Sequence, residues 1–382
     1  MTEADLDYIA SFRHDPLGYV RQAYPWGEPG ELAKHPGPRG WQAEVQGAIG
    51  EHLQNPETRY KPLRIAVASG HGIGKSACIS QIIKWGLDTC ADTRIVVTAN
   101  TDGQLRTKTW PEVGKWCRLA ETRDLFKVTA TAVASADPDA EKSWRADAIP
   151  WSENNTEAFA GLHNEGRRII LIFDEASAIA DKVWEVAEGA LTDENTEIIW
   201  VAFGNPTRNT GRFRECFRRF RHLWKTWQVD SRTVEGTNKE YLDELVATYG
   251  ENSDIVKVRV RGQFPSQSAK QFIGTDDVDA ARARHLRPEQ YNFAPVILTC
   301  DPAWEGDDEL VIAKRQGLKF DILRTIPKND NDLQIAAILA QLEDEHQADA
   351  VFVDAGYGTG IVSAGRTMGR NWQLVWFGAD ST

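Results

Sequence analysis

No stretch of this 382-residue chain approaches the roughly 18 consecutive apolar residues that a membrane-spanning helix needs, and Met1 to Ala10 is acidic rather than basic and then apolar. Neither a membrane span nor an export signal is therefore expected. Cysteine is scarce. Cys78, Cys90, Cys117, Cys216 and Cys300 are scattered, odd in number and free of C-x-x-C spacing, which argues against a disulfide framework and against zinc, and for reduced thiols inside a cell. No H-x-x-x-H pair or Ser/His/Asp set stands out. Positive charge is also short: 44 Lys and Arg against 56 Asp and Glu leave a net charge of −12, which excludes coating of nucleic acid by bulk attraction but not a local basic patch. The length predicts two or three domains, and 41% hydrophobic with 26% charged residues is the balance of a soluble globular chain.

What is present centres on Ser69-Gly70-His71-Gly72-Ile73-Gly74-Lys75-Ser76. The apolar run Leu63 to Ala68 predicts a strand, and the glycines after it let backbone N–H groups turn inward around an anion. Lys75 adds a point charge. Ser76 opens a predicted helix running to about Cys90, so its hydroxyl can ligate Mg²⁺ while the helix N-terminus faces the same phosphates. The stretch is expected to bind ATP; the alternative is a glycine-rich turn with no ligand. The pattern G-x-x-x-x-G-K-[ST] wants glycine where this chain has Ser69, so a small residue is expected to make the turn.

A strand over Arg94 to Thr98 and a helix from about Asp102 to Leu119 imply parallel β-α-β winding. Ile169 to Phe173 reads as a strand buried on both faces that delivers Asp174 and Glu175 to the sheet edge carrying the loop. There Asp174 is expected to hold Mg²⁺ through water and Glu175 to orient the attacking water as general base, with a solvated turn as the alternative. The strand Glu197 to Phe203 leads to Asn205, either a γ-phosphate sensor or part of an Asn-Pro turn. Upstream, in Pro38-Arg39-Gly40-Trp41-Gln42, the Gln42 amide matches the donor and acceptor of an adenine edge, unless it is an ordinary surface glutamine. Arg212 to Lys225 sets six basic residues among Phe213, Phe217, Phe220 and Trp224. It is read as a phosphate-contacting face or as an amphipathic helix with its aromatics in the core.

Beyond a helix-rich stretch, Asn238 to Gly262, and a polar linker, two strands end in an acid: Val296 to Cys300 before Asp301, and Ala350 to Val353 before Asp354. If these strands are neighbours, the carboxylates converge on Mg²⁺ or Mn²⁺ of the kind used for in-line attack on a phosphodiester, with Asp307 adding an oxygen.

In this order the motifs resemble the large subunit of a tailed-bacteriophage terminase, the motor and nuclease that packages DNA into proheads. The likeness spans nearly the whole chain. It rests on Ser69 to Ser76, the Ile169 to Ser177 strand with its Asp-Glu pair, Gly204-Asn205-Pro206 with Gly211-Arg212-Phe213, Val260-Arg261-Gly262-Gln263-Phe264-Pro265, and the two acid-ended strands.

The resemblance implies an α/β chain: an N-terminal P-loop ATPase of the ASCE type with a mostly parallel sheet, then a partial ribonuclease H-like α/β nuclease domain. Its divisions would be 1–60, a helical lid with the adenine contact; 61–265, the ATPase; 266–290, a linker; and 291–382, the nuclease. It implies ATP and Mg²⁺ at the first site and Mg²⁺ or Mn²⁺ at the second. Ser69, Gly70, His71, Gly72, Ile73, Gly74, Lys75 and Ser76 would cradle phosphate, Asp174 and Glu175 would be the metal-water and catalytic acids, and Gln42 would contact adenine. Asn205 would couple hydrolysis to motion, and Asp301 and Asp354 would be nuclease acids. The family's arginine finger, supplied within the chain or by a neighbouring subunit, is assigned to Arg145, with Arg212 behind it.

The implied partners are double-stranded DNA, a portal protein and a terminase small subunit, with a pentameric ring on the portal, a monomer when free, and the cytoplasm of the bacterial host as location. The family's third nuclease acid has no counterpart before Thr382 except Asp380, so a truncated chain with an incomplete nuclease site is expected. Two other readings stay open: a helicase or defence-type ATPase-nuclease that unwinds strands, and a non-catalytic ATP-gated scaffold, against which the intact Glu175 argues.

Overall fold

Short runs of β-branched and aliphatic residues, each closed by glycine or a polar residue, become the strands. In the first of two units, Met1–Asp277, they are β1 Leu63–Ser69, β2 Arg94–Ala99, β3 Phe126–Val128, β4 Ala132–Ser135, β5 Arg145–Ala148, β6 Arg168–Asp174, β7 Glu197–Gly204 and β8 Lys225–Val229. The computed structural model describes residues 2–150, 162–266, 275–303, 308–327 and 329–376. The eight strands form one sheet in the order β3-β4-β5-β2-β6-β7-β1-β8, parallel from β5 to β8, with β3 and β4 added antiparallel. The fold class expected from the sequence, an α/β chain with a mostly parallel sheet, is the one observed.

Every residue of β6 and β7 is buried, because helices cover both faces of the sheet. On one face Ile65, Val67, Ile170, Ile172, Ile199 and Val201 meet the helices Gly40–Gln54, Lys75–Thr89 and Trp110–Leu119. On the other, Ile169, Leu171, Phe173 and Trp200 meet Trp184 of the helix Asp181–Glu188 together with Phe213 and Trp224. Each such side chain contributes about 2 kcal/mol by leaving water. The register places Ala99 beside Asp174 and Ala68 beside Gly204, so β1, β2, β6 and β7 end at one edge.

Two local readings need correction. The stretch after β2 is not one continuous α-helix: a turn at Asp102–Gln104 leads into a π-helical turn, Leu105–Thr109, before Trp110–Leu119. Pro111, near the start of that last helix, has no N–H for an i→i−4 bond, and a widened turn accommodates the gap. Nor is Arg212 to Lys225 an amphipathic helix. Only Arg212–Glu215 is helical, and Lys225 opens β8 opposite Ile65. Strand pairing at the sheet edge and packing of Phe213 and Trp224 against Trp184 override the helical spacing of the aromatics. Arg218, Arg219 and Arg221 are exposed; Arg212 pairs with Glu188, and both Arg212 and Arg219 lie over the Phe220 ring.

The second unit, Val278–Thr382, holds β9 Val296–Asp301, β10 Glu309–Gln316, β11 Lys319–Pro327, β12 Ala350–Asp354 and β13 Gln373–Val375 in the order β11-β10-β9-β12-β13. The first three strands pair antiparallel and the last two join in parallel, over a core of Leu298, Ile312, Leu339, Val353, Ile361 and Trp372. Among the described residues no helix is long and apolar enough to cross a membrane.

Candidate functional site

The loop from Gly70 to Gly74 joins β1 to the helix Lys75–Thr89. Ser69 remains a strand residue, paired with Val229, and its hydroxyl accepts from Lys75 Nζ at 3.3 Å. The close approach that demands glycine falls one residue later. A Cβ on Gly70 would lie 2.3 Å from Ser231 Oγ and 2.4 Å from Val260 O, so the glycine requirement falls at 70. Gly72 and Gly74 take φ of +74° and +83°.

Four successive carbonyls of this loop are tied from outside. Ser231 Oγ donates to His71 O at 2.8 Å, Arg39 Nη1 to Gly72 O at 2.8 Å, Trp41 Nε1 to Ile73 O at 3.0 Å and Gln42 Nε2 to Gly74 O at 2.8 Å. In a trans peptide the C=O and N–H point in opposite directions, so these ties turn the N–H groups of residues 72 to 75 the other way, into the cleft. Gln42 is 3% exposed, and its Oε1 also accepts from Arg39 N at 2.9 Å. In this structure both ends of the Gln42 amide are engaged in bracing the loop. Arg39 and Trp41 precede Gln42 in the segment singled out by sequence, yet nothing local marked them as donors.

An open cleft of roughly 500 Å³ is lined by the loop, Lys75, Ser76, Asp174, Glu175 and Asn205, and by Lys108 and Glu112 from the segment after β2. Lys75 Nζ donates to Asn205 Oδ1 at 3.1 Å, and Asn205 Nδ2 to Ser69 O at 2.7 Å, so the β7 tip is stitched to the loop through the lysine. Burial lowers the Lys75 pKa against the opposing pull of Glu175 and Asp174. Asp174, 5% exposed, accepts from Thr109 Oγ1 at 2.6 Å and from Glu175 N at 2.9 Å, and burial raises its pKa despite the Thr109 bond. Thr109 was missed by sequence reasoning; it reaches Asp174 from the π-helical turn. Glu175 sits at φ +51°, a left-handed conformation uncommon outside glycine and often found at functional positions. Burial also lowers the His71 pKa, reinforced by Lys75, Arg259 and Lys108. Ser76 and Asp174 are hard oxygen donors on one cleft wall, a set that fits Mg²⁺.

Arg145 does not reach this cleft. It starts β5 level with Arg94, which pairs with Ile169, so it lies about 16 Å along the sheet from Asp174 at roughly 3.3 Å per residue. Its guanidinium is held by Asp147 at 2.6 Å. Within one chain Arg145 therefore stands apart from the cleft, because parallel winding puts strand starts at the opposite edge from strand ends.

In the second unit, pairing of Val353 with Cys300 sets Asp301 and Asp354 side by side at the ends of β9 and β12. Burial, Asp354 and Asp308 raise the Asp301 pKa, and Asp354 also accepts from Gly356 N at 3.1 Å. Asp308, adjacent to the expected Asp307, is an acid that sequence reasoning passed over. Asp307 and Asp380 lie outside the described residues. Among the described residues, no group of three His, Cys, Asp or Glu side chains is placed to hold a metal ion.

No protein-family model matches the chain. The chain is 26% identical over 244 residues to a probable terminase large subunit of Enterobacteria phage P7; the match covers 58% of this chain and 46% of the relative's length, so under half of that relative is represented. Among solved structures, the HK97 bacteriophage large terminase aligns over 96% of this chain and 85% of its own, with 12% identity and a TM-score of 0.47. The large terminase of a thermophilic bacteriophage, in complex with ATP-γ-S, aligns over 90% of this chain and 83% of its own, with 12% identity and a TM-score of 0.42. The likeness to phage terminase large subunits drawn from the motifs is thus met by a named relative.

Proposed function

We propose that the chain is the large subunit of a tailed-phage or prophage terminase: an ATP-hydrolysing motor that moves double-stranded DNA into a prohead, joined to a metal-dependent endonuclease that cuts concatemeric DNA. The observation that carries this reading is the cradle with its four outward-tied carbonyls, facing Lys75, Asp174, Glu175 and Asn205 across one cleft. The inward N–H groups and Lys75 bind the phosphates of ATP. Glu175 positions the attacking water and accepts its proton. Asn205, bonded to Lys75, senses loss of the γ-phosphate and passes the change to the segment after β7, whose exposed Arg218, Arg219 and Arg221 contact DNA phosphates. Ser76 and Asp174 would hold Mg²⁺, which neutralises charge developing on the phosphates.

In the second unit the strand order supports a ribonuclease H-like nuclease, and Asp301 and Asp354 would hold Mg²⁺ or Mn²⁺ for phosphodiester cleavage. A portal protein, a small subunit and further copies in a pentameric ring are the partners this function calls for. The test is ATP hydrolysis with and without linear double-stranded DNA, beside Lys75→Ala and Glu175→Gln. Turnover stimulated by duplex and lost in both variants is expected; translocation that survives Glu175→Gln sinks the reading.

A further inference from the structure

The segment after β2 brings a second cation to the phosphate cleft. Among the described residues that line it, Lys75 and Lys108 are the only lysines or arginines. In the sheet order β2-β6-β7-β1 they come from opposite flanks of the strand that ends in Asp174: Lys75 from the helix after β1, Lys108 from the π-helical turn after β2. The two are held differently. Lys75 Nζ is bonded to Asn205 Oδ1 and Ser69 Oγ, whereas Lys108 is exposed and, among the described residues, has no hydrogen-bond or ion-pair partner. Glu112, one turn further along the same wall, accepts from Trp116 Nε1 at 2.8 Å and pairs with Lys115 at 4.0 Å.

The backbone beneath Lys108 is fixed to the acid beside it. Trp110 N donates to Leu105 O, the i→i−5 bond of the π-helical turn, and Thr109, 1% exposed, donates to Asp174 at 2.6 Å. A flexible four-carbon stem on this fixed base carries the ammonium into the cleft. Burial first, and then the charges of Lys75, Arg259 and Lys108, lower the pKa of His71 on the loop, so the field of Lys108 spans the cleft. Arg145 and Arg212 are held elsewhere, by Asp147 and Glu188.

We propose that Lys108 is a further catalytic residue, whose ammonium meets the γ-phosphoryl group from the side opposite Lys75 and stabilises the charge that moves during its transfer. The inference rests on the ATP-hydrolysing reading above. In that step the water oxygen bonds to the γ-phosphorus as the bond from that phosphorus to the β–γ bridging oxygen breaks. The water's proton goes to Glu175, and the electron pair of the broken bond stays on ADP. A cation that holds these oxygens more tightly in the transition state than in the bound substrate raises kcat and leaves KM nearly unchanged. ADP lacks the γ-phosphoryl group, so its binding does not draw on Lys108.

The test is steady-state ATP hydrolysis by the full chain with Mg²⁺ and linear double-stranded DNA, beside calorimetric titration with ADP, for the parent, Lys108→Ala, Lys108→Gln and Lys108→Arg. Alanine and glutamine should each lower kcat at least tenfold, and on the order of a hundredfold, while KM and the ADP dissociation constant stay within about threefold. Arginine, which restores the charge, should recover most of that loss, and none of the three should shift the melting temperature, because Lys108 is exposed and unpaired. A loss of kcat under tenfold in alanine and glutamine, ADP affinity that falls in step with kcat, or arginine no better than glutamine overturns the proposal. A parent that binds ADP but does not hydrolyse ATP also overturns it while the phosphate loop stands. If the parent binds no nucleotide, the phosphate-loop reading falls and Lys108 with it.

Discussion

Replacing Gln42 with leucine separates two roles for one side chain. In the structure the Gln42 amide ties Gly74 O at 2.8 Å and Arg39 N at 2.9 Å, within a nearly closed environment. Leucine is close to glutamine in volume and keeps the packing, but it removes both bonds, at about 1 kcal/mol each. Gly74 O retains a helical bond from Cys78 N at 3.2 Å, and Arg39 N lies at a half-exposed helix start where water can replace the amide, so the added desolvation penalty is small. The expected loss is therefore about 2 kcal/mol, or roughly 4 to 8 °C in the melting temperature of a unit of this size. The freed Gly74–Lys75 peptide no longer holds its N–H toward the cleft, so affinity for inorganic tripolyphosphate should fall several-fold together with that for ATP. Thermal unfolding without nucleotide and calorimetry with both ligands provide the readouts. Unchanged melting and unchanged tripolyphosphate binding, with only ATP weakened, would refute the brace and restore Gln42 as a reader of adenine.

Thr109→Val removes the hydroxyl that donates to Asp174 at 2.6 Å, a bond to a buried carboxyl worth about 1.5–3 kcal/mol. ATP turnover should fall about ten- to hundredfold while tripolyphosphate still binds, and unchanged turnover in a steady-state assay counts against a positioning role. For Glu197, burial alone would raise the carboxyl pKa, but Arg168, Arg13 and His14 together hold it below its ordinary 4.5. A carboxyl depressed in the folded state contributes stability that is fully present above pH 4.5 and lost as pH falls through the lower folded value. Urea midpoints should therefore drop on acidification below pH 4.5, and Glu197→Gln should shorten that acid limb. At neutral pH the same change leaves the fully buried Arg168 without its partner and should cost roughly 3–5 kcal/mol. Asp301→Asn relieves repulsion from Asp354 and Asp308. The variant should melt higher than its parent in a chelator and lose any upward shift that Mn²⁺ confers, and a Mn²⁺ shift that survives would remove Asp301 from the metal site.

The central sheet was legible because parallel strands covered on both faces lose polar alternation and stand out as continuous apolar runs, as β6 and β7 do, and because each ends in residues that chemistry singles out. The meeting of Asp174, Glu175, Lys75 and Asn205 at one sheet edge was legible this way, and the neighbouring positions of Asp301 and Asp354 by the same logic at the ends of β9 and β12. The supports of the site were not legible. Arg39 lies 33 residues from the carbonyl it ties, Thr109 lies 65 residues from Asp174, and Ser231 lies 160 residues from His71, so no local pattern connects them. The bond from Gln42 to Gly74 O was not legible either: an amide can serve a base edge or a backbone carbonyl equally well, and the packing of the helix Gly40–Gln54 against the loop brings it to the carbonyl. The aromatic spacing of Arg212 to Lys225 fits a helix, yet pairing of β8 with β1 took Lys225 into a strand.

The departure at Ser69 shows the same division between what is local and what is not. A motif records which residues meet the ligand; the glycine it demands depends on what presses on the loop from behind. Here the pressing groups are Ser231 and Val260, from segments that follow β8, and they meet the backbone at Gly70. Gly262 answers from the other side: its backbone passes so close to Ser69 that a Cβ there would lie 2.6 Å from Ser69 Cα, at a φ of +61°. The cradle is thus shaped by the chain before it, through Arg39, Trp41 and Gln42, and by the chain after it, through Ser231 to Gly262. These two supports also touch each other, since Gly40 N donates to the Glu235 carboxylate at 3.4 Å. A change of shape in the loop therefore pulls on both at once, and the second support leads on in sequence toward the second unit.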